Sequence, residues 1–279
     1  VVLLFGAYVL AYFFSDNLLG YFRGQIERQL NAKVTFQSSK LSGRTMTVTG
    51  LSLETRGGVP LGRLDEVKAV LSPYYAIRYG PQRALSDLYI KGARLDLHFG
   101  PDGRMNWDSV SFPKRDEDRP EKISYRGNIR LQDGFISLRD QRYGDYLANL
   151  DRVEGMFSWE ASGHWQVQGA AEGGAIAVSG FGEPGKPVQV DATVKNLELD
   201  NFLLHPNLAN QIRVTGAQAN GTVQMRIPMD NPQSTLLLGT LLIRAKEAYS
   251  PQFQQSIQAF ESTLTLMGSW IRFEKTRFS

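Results

Sequence analysis

The most restrictive feature of this sequence is an alternation of apolar and polar residues that changes phase at glycine. The run from Leu88 to Phe99 is apolar at every second residue, but the phase changes at Gly92. A period of two is typical of a strand with one buried face. Because a slip of one residue moves every apolar side chain to the opposite face, the glycine predicts a bulge, a kink or a turn. The run ends at residues 100–103, Gly-Pro-Asp-Gly, which predict a tight turn.

The same change of phase recurs near Gly50, Gly134, Gly180 and Gly216. Gly50, Gly92 and Gly134 are evenly spaced, but Gly180 and Gly216 are not. The pattern therefore indicates an irregular repeat of one β unit, not a propeller or a solenoid with a fixed period. Apolar residues make up 42% of the chain and charged residues 21%, which argues against disorder. We therefore predict a mostly β fold.

Three stretches depart from the alternation. Residues 236–243 are apolar at nearly every position, which predicts a strand buried on both faces. Residues 113–122 carry mixed charges and two prolines, and residues 182–187 form a second break. These two segments predict loops that can separate lobes of one β structure.

The alternating runs also predict which side chains share one apolar face. The candidate residues of this face are Val34, Phe36, Met46, Val48, Leu51, Leu53, Leu95, Leu97, Phe99, Ile129, Leu131, Ile136 and Leu138. Two arrangements fit the pattern: two sheets packed into a closed sandwich, or a single curved sheet that leaves an open apolar trough. Alternation alone does not distinguish them.

Residues 1–14, VVLLFGAYVLAYFF, carry no charge. A membrane span needs roughly 20 apolar residues, so we interpret this run as a transmembrane anchor that is cut short at its beginning. The apolar core of a signal peptide and a buried core helix are the alternatives, although no small-x-small cleavage site follows Phe14. Aromatic residues at positions 12–14 suit a membrane–water boundary.

Residues 15–31 predict a helix that Ser15 or Asp16 can cap. Its apolar residues recur at steps of three and four, and they are Leu18, Leu19, Phe22, Ile26 and Leu30. The helix either closes one end of a β core or lies as an amphipathic helix in the membrane interface. Residues 32–279 are predicted to form the β structure.

The sequence lacks the usual marks of chemistry. The histidines His98, His164 and His205 lie far apart without metal-ligand spacing, and there is no cysteine. No nucleophile elbow, P-loop or dinucleotide-binding motif is present. The net charge is only +3, and Lys and Arg are scattered, which argues against a nucleic-acid surface. We therefore expect no enzyme, no catalytic residue, no cofactor and no metal.

The most motif-like segment is Asp102–Trp107, DGRMNW. Its Asp and Asn suit a turn, and Trp107 can plug the end of a core. With the preceding IKGARLDL and LDEVKAVLS, with residues 33–55 and with the later IRLQDGFISLRD, this segment resembles the AsmA-like family of envelope proteins. Residues 190–203 and 214–225 look like the TamB-type branch of that family.

The resemblance implies a single-pass anchor in the inner membrane, followed by a long periplasmic β structure. We expect this structure to be an elongated, curved antiparallel-type β-sheet that forms an open apolar groove, a β-taco. The resemblance implies no catalytic residues, because the family has none to carry over. We expect an N-terminal piece of a longer bridge that conducts phospholipids between the inner and outer membranes. The alternative is a scaffold for outer-membrane protein assembly that binds partners by strand addition. Expected partners are acyl chains of membrane phospholipids and an outer-membrane β-barrel that a more C-terminal part contacts.

Overall fold

The structure is a computed structural model that describes residues 20, 23–24, 27–28, 30–72, 74, 85–110, 127–142, 146–159, 164–183, 186–200, 213–228, 236–252, 254–268 and 270–277. The predicted anchor, residues 1–14, lies outside the described residues. The described positions within 15–30 have helical backbone but are too scattered to define an element, so the helix over 15–31 stays a prediction. A search of the described part of the chain finds no helix with the length and apolar character needed to cross a membrane.

Fifteen strands account for most of the described residues, which confirms the prediction of a mostly β fold. They are β1 (Ala32–Thr35), β2 (Ser38–Ser42), β3 (Thr45–Thr55), β4 (Pro60–Leu71), β5 (Leu85–Phe99), β6 (Gly127–Asp140), β7 (Tyr146–Trp159), β8 (Trp165–Ala171), β9 (Ile176–Gly182), β10 (Val188–Glu198), β11 (Arg213–Thr215), β12 (Gln218–Ile227), β13 (Leu236–Ser250), β14 (Gln255–Met267) and β15 (Trp270–Arg277). Short 3₁₀ turns occur at Asn106–Ser109 and Glu172–Gly174.

All fifteen strands belong to one open sheet whose order follows the chain closely. The main path is β1-β3-β4-β5-β6-β7-β8-β9-β10-β12-β13-β14-β15, while β2 pairs with β3 and β11 with β13. The described strands therefore form no second layer, and the closed two-sheet sandwich that the alternation also allowed is not the arrangement of these residues.

The predicted antiparallel-type pairing holds except at one pair, β5 and β6, which run parallel and make the sheet a mixed one. A parallel pair needs a long crossover, and residues 100–126 provide it. Residues 113–122 lie outside the described residues, but the strands on either side pair directly, so this segment does not separate two lobes. Residues 182–187 likewise join the antiparallel neighbours β9 and β10 within the same sheet.

The register defines which side chains share a face, because directly paired residues project to the same side of a sheet. Leu95 pairs with Ile136 across β5 and β6, and Leu53 pairs with Gly62 across β3 and β4. Following these pairs from strand to strand gives one side of mostly apolar residues, called the apolar face. The other side, the polar face, carries mostly Thr, Ser, Gln and charged residues.

In seven of the fifteen strands, and at Gly216 between β11 and β12, a residue in the left-handed backbone region separates apolar-face residues three positions apart. In β5, for example, Ile90 and Ala93 both project to the apolar face, and Gly92 between them has a φ of 64°. The residues in this position along the sheet are Gly50, Gly92, Asp133, Arg152, Asn196, Gly216, Ala259 and Lys275. At each of them the alternation skips one residue, so the apolar residues stay on one face. Near Asn196 and Lys275 the pairing also shifts, as in a β-bulge, whereas Gly50 and Gly92 lie opposite a matching residue in uninterrupted register.

The left-handed residues, and the residues paired with them, lie at the same level in neighbouring strands. Gly50 lies opposite Asp65, Asp65 lies opposite Gly92, and Gly92 lies opposite Asp133, as the flanking pairs show. Farther along the sheet, Ala259 lies opposite Lys246. We call this line of residues the bulge row; it crosses the sheet from strand to strand.

Two glycine predictions need correction. The left-handed residue of β6 is Asp133, not the adjacent Gly134. At Gly180 there is no phase change, so that prediction is wrong: β9 is regular, and Phe181 projects to the polar face with 47% of its surface exposed. Gly180 has a steric role instead, because a Cβ there would approach Val167 Cγ1 to 2.9 Å.

The prediction that residues 236–243 are buried on both faces is also wrong. They do form a strand within β13, but none of them is buried, and Leu236 on the polar face is 41% exposed. The reason is the single layer of the sheet, because nothing described covers the polar side of β13.

The bulge row yields a stability prediction at Gly92. Gly92→Ala should lower the free energy of unfolding by about 1–3 kcal/mol, because an alanine at φ +64° is strained and its Cβ would collide with the Asp65 carboxylate. Urea unfolding measures the change. Gly57→Ala is the control, since its Cβ would meet only Thr55 Oγ1 at 3.7 Å. Equal effects of the two substitutions would contradict a structural role for the bulge.

Candidate functional site

The apolar face contains a cavity of about 390 Å³, here called cavity 1. It extends across six strands, from β3 to β8. The apolar side chains that line it from this face are Leu53, Leu64, Ile90, Ala93, Leu95, Trp107, Ile129, Leu131, Ile136, Val153, Phe157 and Val167. Arg63, Arg94, Phe135 and Met156 also border it, although by register they project to the other face. Glycines at positions 62, 134 and 155 lie among them and deepen the cavity, because they contribute no side chain.

A second cavity of about 290 Å³, cavity 2, lies beside the first on the same face. The two cavities share Leu53, Leu64 and Ile90, so they are adjacent parts of one depression. Below cavity 2, Met46, Val48 and Ala69 form a buried cluster against which further apolar side chains pack. The partly buried members of that cluster are Phe36, Leu41, Leu51, Val67, Leu71 and Leu88.

The structure brings most of the predicted face residues together at these cavities. Cavity 2 is lined by Val34, Phe36, Met46, Val48, Leu51 and Leu53. Cavity 1 is lined by Leu53, Leu95, Ile129, Leu131 and Ile136. Leu97, Phe99 and Leu138 share the apolar face by register but line neither cavity.

Sequence reasoning missed the contribution of β4 to the cavities. Leu64, Val67 and Ala69 all line cavity 2, but the step of three between Leu64 and Val67 hides their common face. No glycine marks that step, because Asp65 occupies the intervening position opposite Gly50 and Gly92. The step of three between Leu64 and Val67, which matches the step from Ile90 to Ala93 in β5, is the signal that could have identified them.

Residues 100–110 form a plug over one end of the apolar face. The predicted turn at 100–103 is present, with Gly103 N donating to Gly100 O at 3.0 Å. Trp107 and Val110 then pack against the buried Ala32 and Leu61. Because Trp107 also lines cavity 1, it forms the boundary between this small core and the open cavity, which agrees with its predicted role as a plug.

Asn106 fastens the plug to the sheet by three hydrogen bonds. Its Nδ2 donates to Pro60 O at 3.0 Å and to Asp96 O at 2.9 Å, and its Oδ1 accepts from His98 N at 3.0 Å. Trp107 Nε1 also donates to Asp96 O at 3.0 Å. The Asn-Trp pair therefore ties the crossover after β5 to strands β4 and β5.

A charged group lies at the end of the β5–β6 pair. Asp140 is only 4% exposed, and its Oδ2 forms an ion pair with Arg142 Nη2 at 2.6 Å. The Arg142 guanidinium lies 4.6 Å from the ring centroid of Phe99, a cation–π geometry. Phe99 and Asp140 are register partners, so Phe99 lies beside a charged pair and lines neither cavity.

Glu27 covers part of the sheet edge at β1. Its Oε1 accepts hydrogen bonds from the backbone N–H of Val34 and from Arg23 Nε, each at 3.1 Å. An edge strand exposes such N–H groups to other strands, so the carboxylate protects this position. The Val34 hydrogen bond, followed by that of Arg23, holds the pKa of Glu27 below its usual value.

The described residues contain no group of three or more His, Asp or Glu placed to hold a metal ion. His98 pairs in register with Arg139 on the polar face, away from both cavities. Both cavities are lined mainly by apolar side chains. They offer extensive hydrophobic area and few directed polar groups, which suits long apolar ligands.

No protein-family model matches the chain, and no curated protein matches it. Assignment to the AsmA-like family therefore remains a hypothesis that rests on the short segments described above.

The plug yields a testable prediction at Asn106. Asn106→Ala should destabilise the fold by roughly 1–3 kcal/mol, because three hydrogen bonds to the backbone are lost and only Asp96 O keeps another side-chain donor, Trp107 Nε1. Hydrogen exchange should accelerate across residues 104–110 in particular. Asn149→Ala, on the exposed polar side of β7, is the control and should change neither measurement. Unchanged exchange in the Asn106 variant would show that the plug is held by other contacts.

The lowered pKa of Glu27 predicts a pH-dependent edge. A carboxyl whose pKa is lower in the folded than in the unfolded state stabilises the fold above its unfolded pKa, and this contribution disappears as the pH falls through the folded pKa. Protection of the Val34 amide from hydrogen exchange should therefore decline on acidification below the usual glutamate pKa. Glu27→Gln should flatten that dependence. Identical pH profiles for the two proteins would contradict the assigned role.

Proposed function

We propose that the chain is a non-enzymatic lipid-binding segment that conducts phospholipids along its apolar face between two membranes. In this proposal the acyl chains lie in the trough that cavities 1 and 2 begin, while the headgroups face water. The cellular setting is that of the AsmA-like resemblance: an inner-membrane, single-pass protein with its bulk in the periplasm, bridging toward the outer membrane.

The observation that carries the proposal is the continuous apolar face of a single-layered sheet. The register places apolar side chains on this face from β1 to β15, and the described strands supply no second layer to cover them. Soluble monomers rarely expose contiguous apolar areas beyond a few hundred Å². A face of this extent therefore needs a ligand or partner to cover it. Acyl chains can cover it because they need no fixed polar contacts.

The dimensions suit acyl chains. Cavities 1 and 2 together extend over the strands from β1 to β8, which is six steps of the sheet order. At about 4.8 Å per step this length is roughly 30 Å. One acyl chain spans about 15 Å, half the hydrocarbon core of a bilayer, so the depression can hold more than one chain along its length.

The energetics favour sliding over tight capture. Each fully buried methylene contributes about 0.8 kcal/mol, and a chain on an open face buries only part of its surface. Such contacts are non-directional, so a chain can move along the face without breaking hydrogen bonds.

A second candidate function, a scaffold for protein assembly, is favoured by the outer strands of the sheet. β15 pairs only with β14 among the described strands, and its Trp270 and Phe273 are 77% and 63% exposed. An exposed strand with large apolar side chains can accept a further strand from a partner. A β-barrel of the outer membrane would be such a partner.

Site-specific photo-crosslinking tests the conduit. A photoactivatable residue at Leu95 or Leu131, both lining cavity 1, should yield phospholipid adducts in cells. The same residue at Asp96 or Arg130, on the polar face by register, should yield none. Adducts are measured by mass spectrometry of the purified protein. Equal adducts at all four positions would contradict the face assignment, and protein adducts without lipid would favour the scaffold.

A charge substitution tests transport. Leu95→Asp should block lipid movement, because a carboxylate in an apolar channel costs several kcal/mol to desolvate. Protease resistance checks that the variant still folds, and Asp96→Leu is the reverse substitution on the polar face. A folded Leu95→Asp variant with normal lipid adducts at Leu131 would contradict the proposed conduit.

A further inference from the structure

Cavity 2 combines an apolar lining with a single charge. Among the described residues that line it, Arg23 is the only charged one, and all the others are apolar. The cavity lies over β1, β3, β4 and β5, next to Leu30 and Val34. An apolar space with one cation at its margin has the chemical polarity of an amphiphile with an anionic headgroup.

The geometry leaves the Arg23 guanidinium available to a ligand. Its Nε donates to Glu27 Oε1 at 3.1 Å, and its side chain is 46% exposed. The terminal nitrogens make no hydrogen bond to a described residue. A guanidinium has five N–H donors in a planar fork, so these nitrogens can bind two oxygens of a phosphate while Nε stays on Glu27. Glu27 in turn is oriented by the Val34 N–H.

A neighbouring surface depression adds positive charge to the same end of the sheet. Arg28, Lys33 and Arg56 line this depression of about 520 Å³ together with Glu27. None of the three cations forms an ion pair with a described carboxylate. Their summed field attracts anions toward the Arg23 margin, although salt weakens this effect over distances of about 8–10 Å.

We propose that cavity 2 is a binding site for an anionic amphiphile, whose acyl chain occupies the apolar cavity and whose phosphate binds Arg23. The acyl-chain part rests on the proposed function; the choice of an anionic over a neutral headgroup is the new inference. Arg23 is thus a specificity-determining residue at one end of the face. A lipid phosphate and free inorganic phosphate share this chemistry, so the test must separate them.

The test uses the full chain in phosphatidylcholine vesicles containing a trace of photoactivatable phosphatidic acid or of diacylglycerol with identical acyl chains. Adducts on cavity 2 residues such as Val48 are quantified by mass spectrometry. In the wild type, phosphatidic acid should exceed diacylglycerol about fivefold, the size expected for a half-exposed charge pair. Arg23→Gln should bring the ratio close to one, and Arg23→Lys should retain part of the preference.

Lys68→Gln is a matched control. Lys68 is 47% exposed and paired with Glu66, much as Arg23 is paired with Glu27, but it projects to the polar face between the cavity residues Val67 and Ala69. This variant should keep the wild-type ratio. Equal loss of preference in the Arg23 and Lys68 variants would overturn the proposal, since it would indicate a general charge effect.

The remaining outcomes separate this inference from the proposed function. Equal yields of both lipids on wild-type cavity residues would overturn the role of Arg23 and leave the acyl-chain conduit intact. Absence of adducts with either lipid would overturn both. If an excess of inorganic phosphate removes the preference in an Arg23-dependent manner, the site is one for free phosphate and the proposal is wrong. Retention of the preference in excess phosphate is the expected result.

Discussion

One constraint determines the organisation of this sheet: apolar side chains must remain on the same face while each strand crosses the bulge row. The period of a strand is two, so one inserted residue would transfer every later side chain to the other face. In this chain the apolar spacing changes from two to three at the positions where the backbone adopts a left-handed conformation. Ile90 and Ala93 are three residues apart, and Gly92 between them adopts a left-handed conformation that restores the phase. The continuity of the apolar face depends on this compensation in strand after strand.

The left-handed residues of neighbouring strands are aligned, so the change of phase occurs along one line across this part of the sheet. The skipped residues of adjacent strands stand opposite one another, so the alternation changes at the same level in neighbouring strands. The flanking pairs place Gly50, Asp65, Gly92 and Asp133 side by side. This row runs across the strands. Cavities 1 and 2 also follow one another across the strands, so the row and the two cavities share one direction.

The sequence predicted the strands and the face better than it predicted the pairing and the bulges. Phase changes at Gly50, Gly92 and Gly216 were recognisable because glycine adopts positive φ without strain. Arg152 and Ala259 adopt it too, and side chains of these types give no local signal. The parallel pairing of β5 and β6 was not predictable, since alternation is the same for either direction of a neighbour.

The partial exposure of the apolar face is itself the property that a lipid carrier needs. A packed core buries large side chains completely and has no further free energy to gain from a ligand. Here several of the fully covered face positions are alanines, such as Ala219 and Ala248, whereas larger side chains such as Leu95 and Leu131 remain partly exposed. Contact with an acyl chain would remove that remaining surface from water, so the free energy that folding leaves unrealised becomes available for binding.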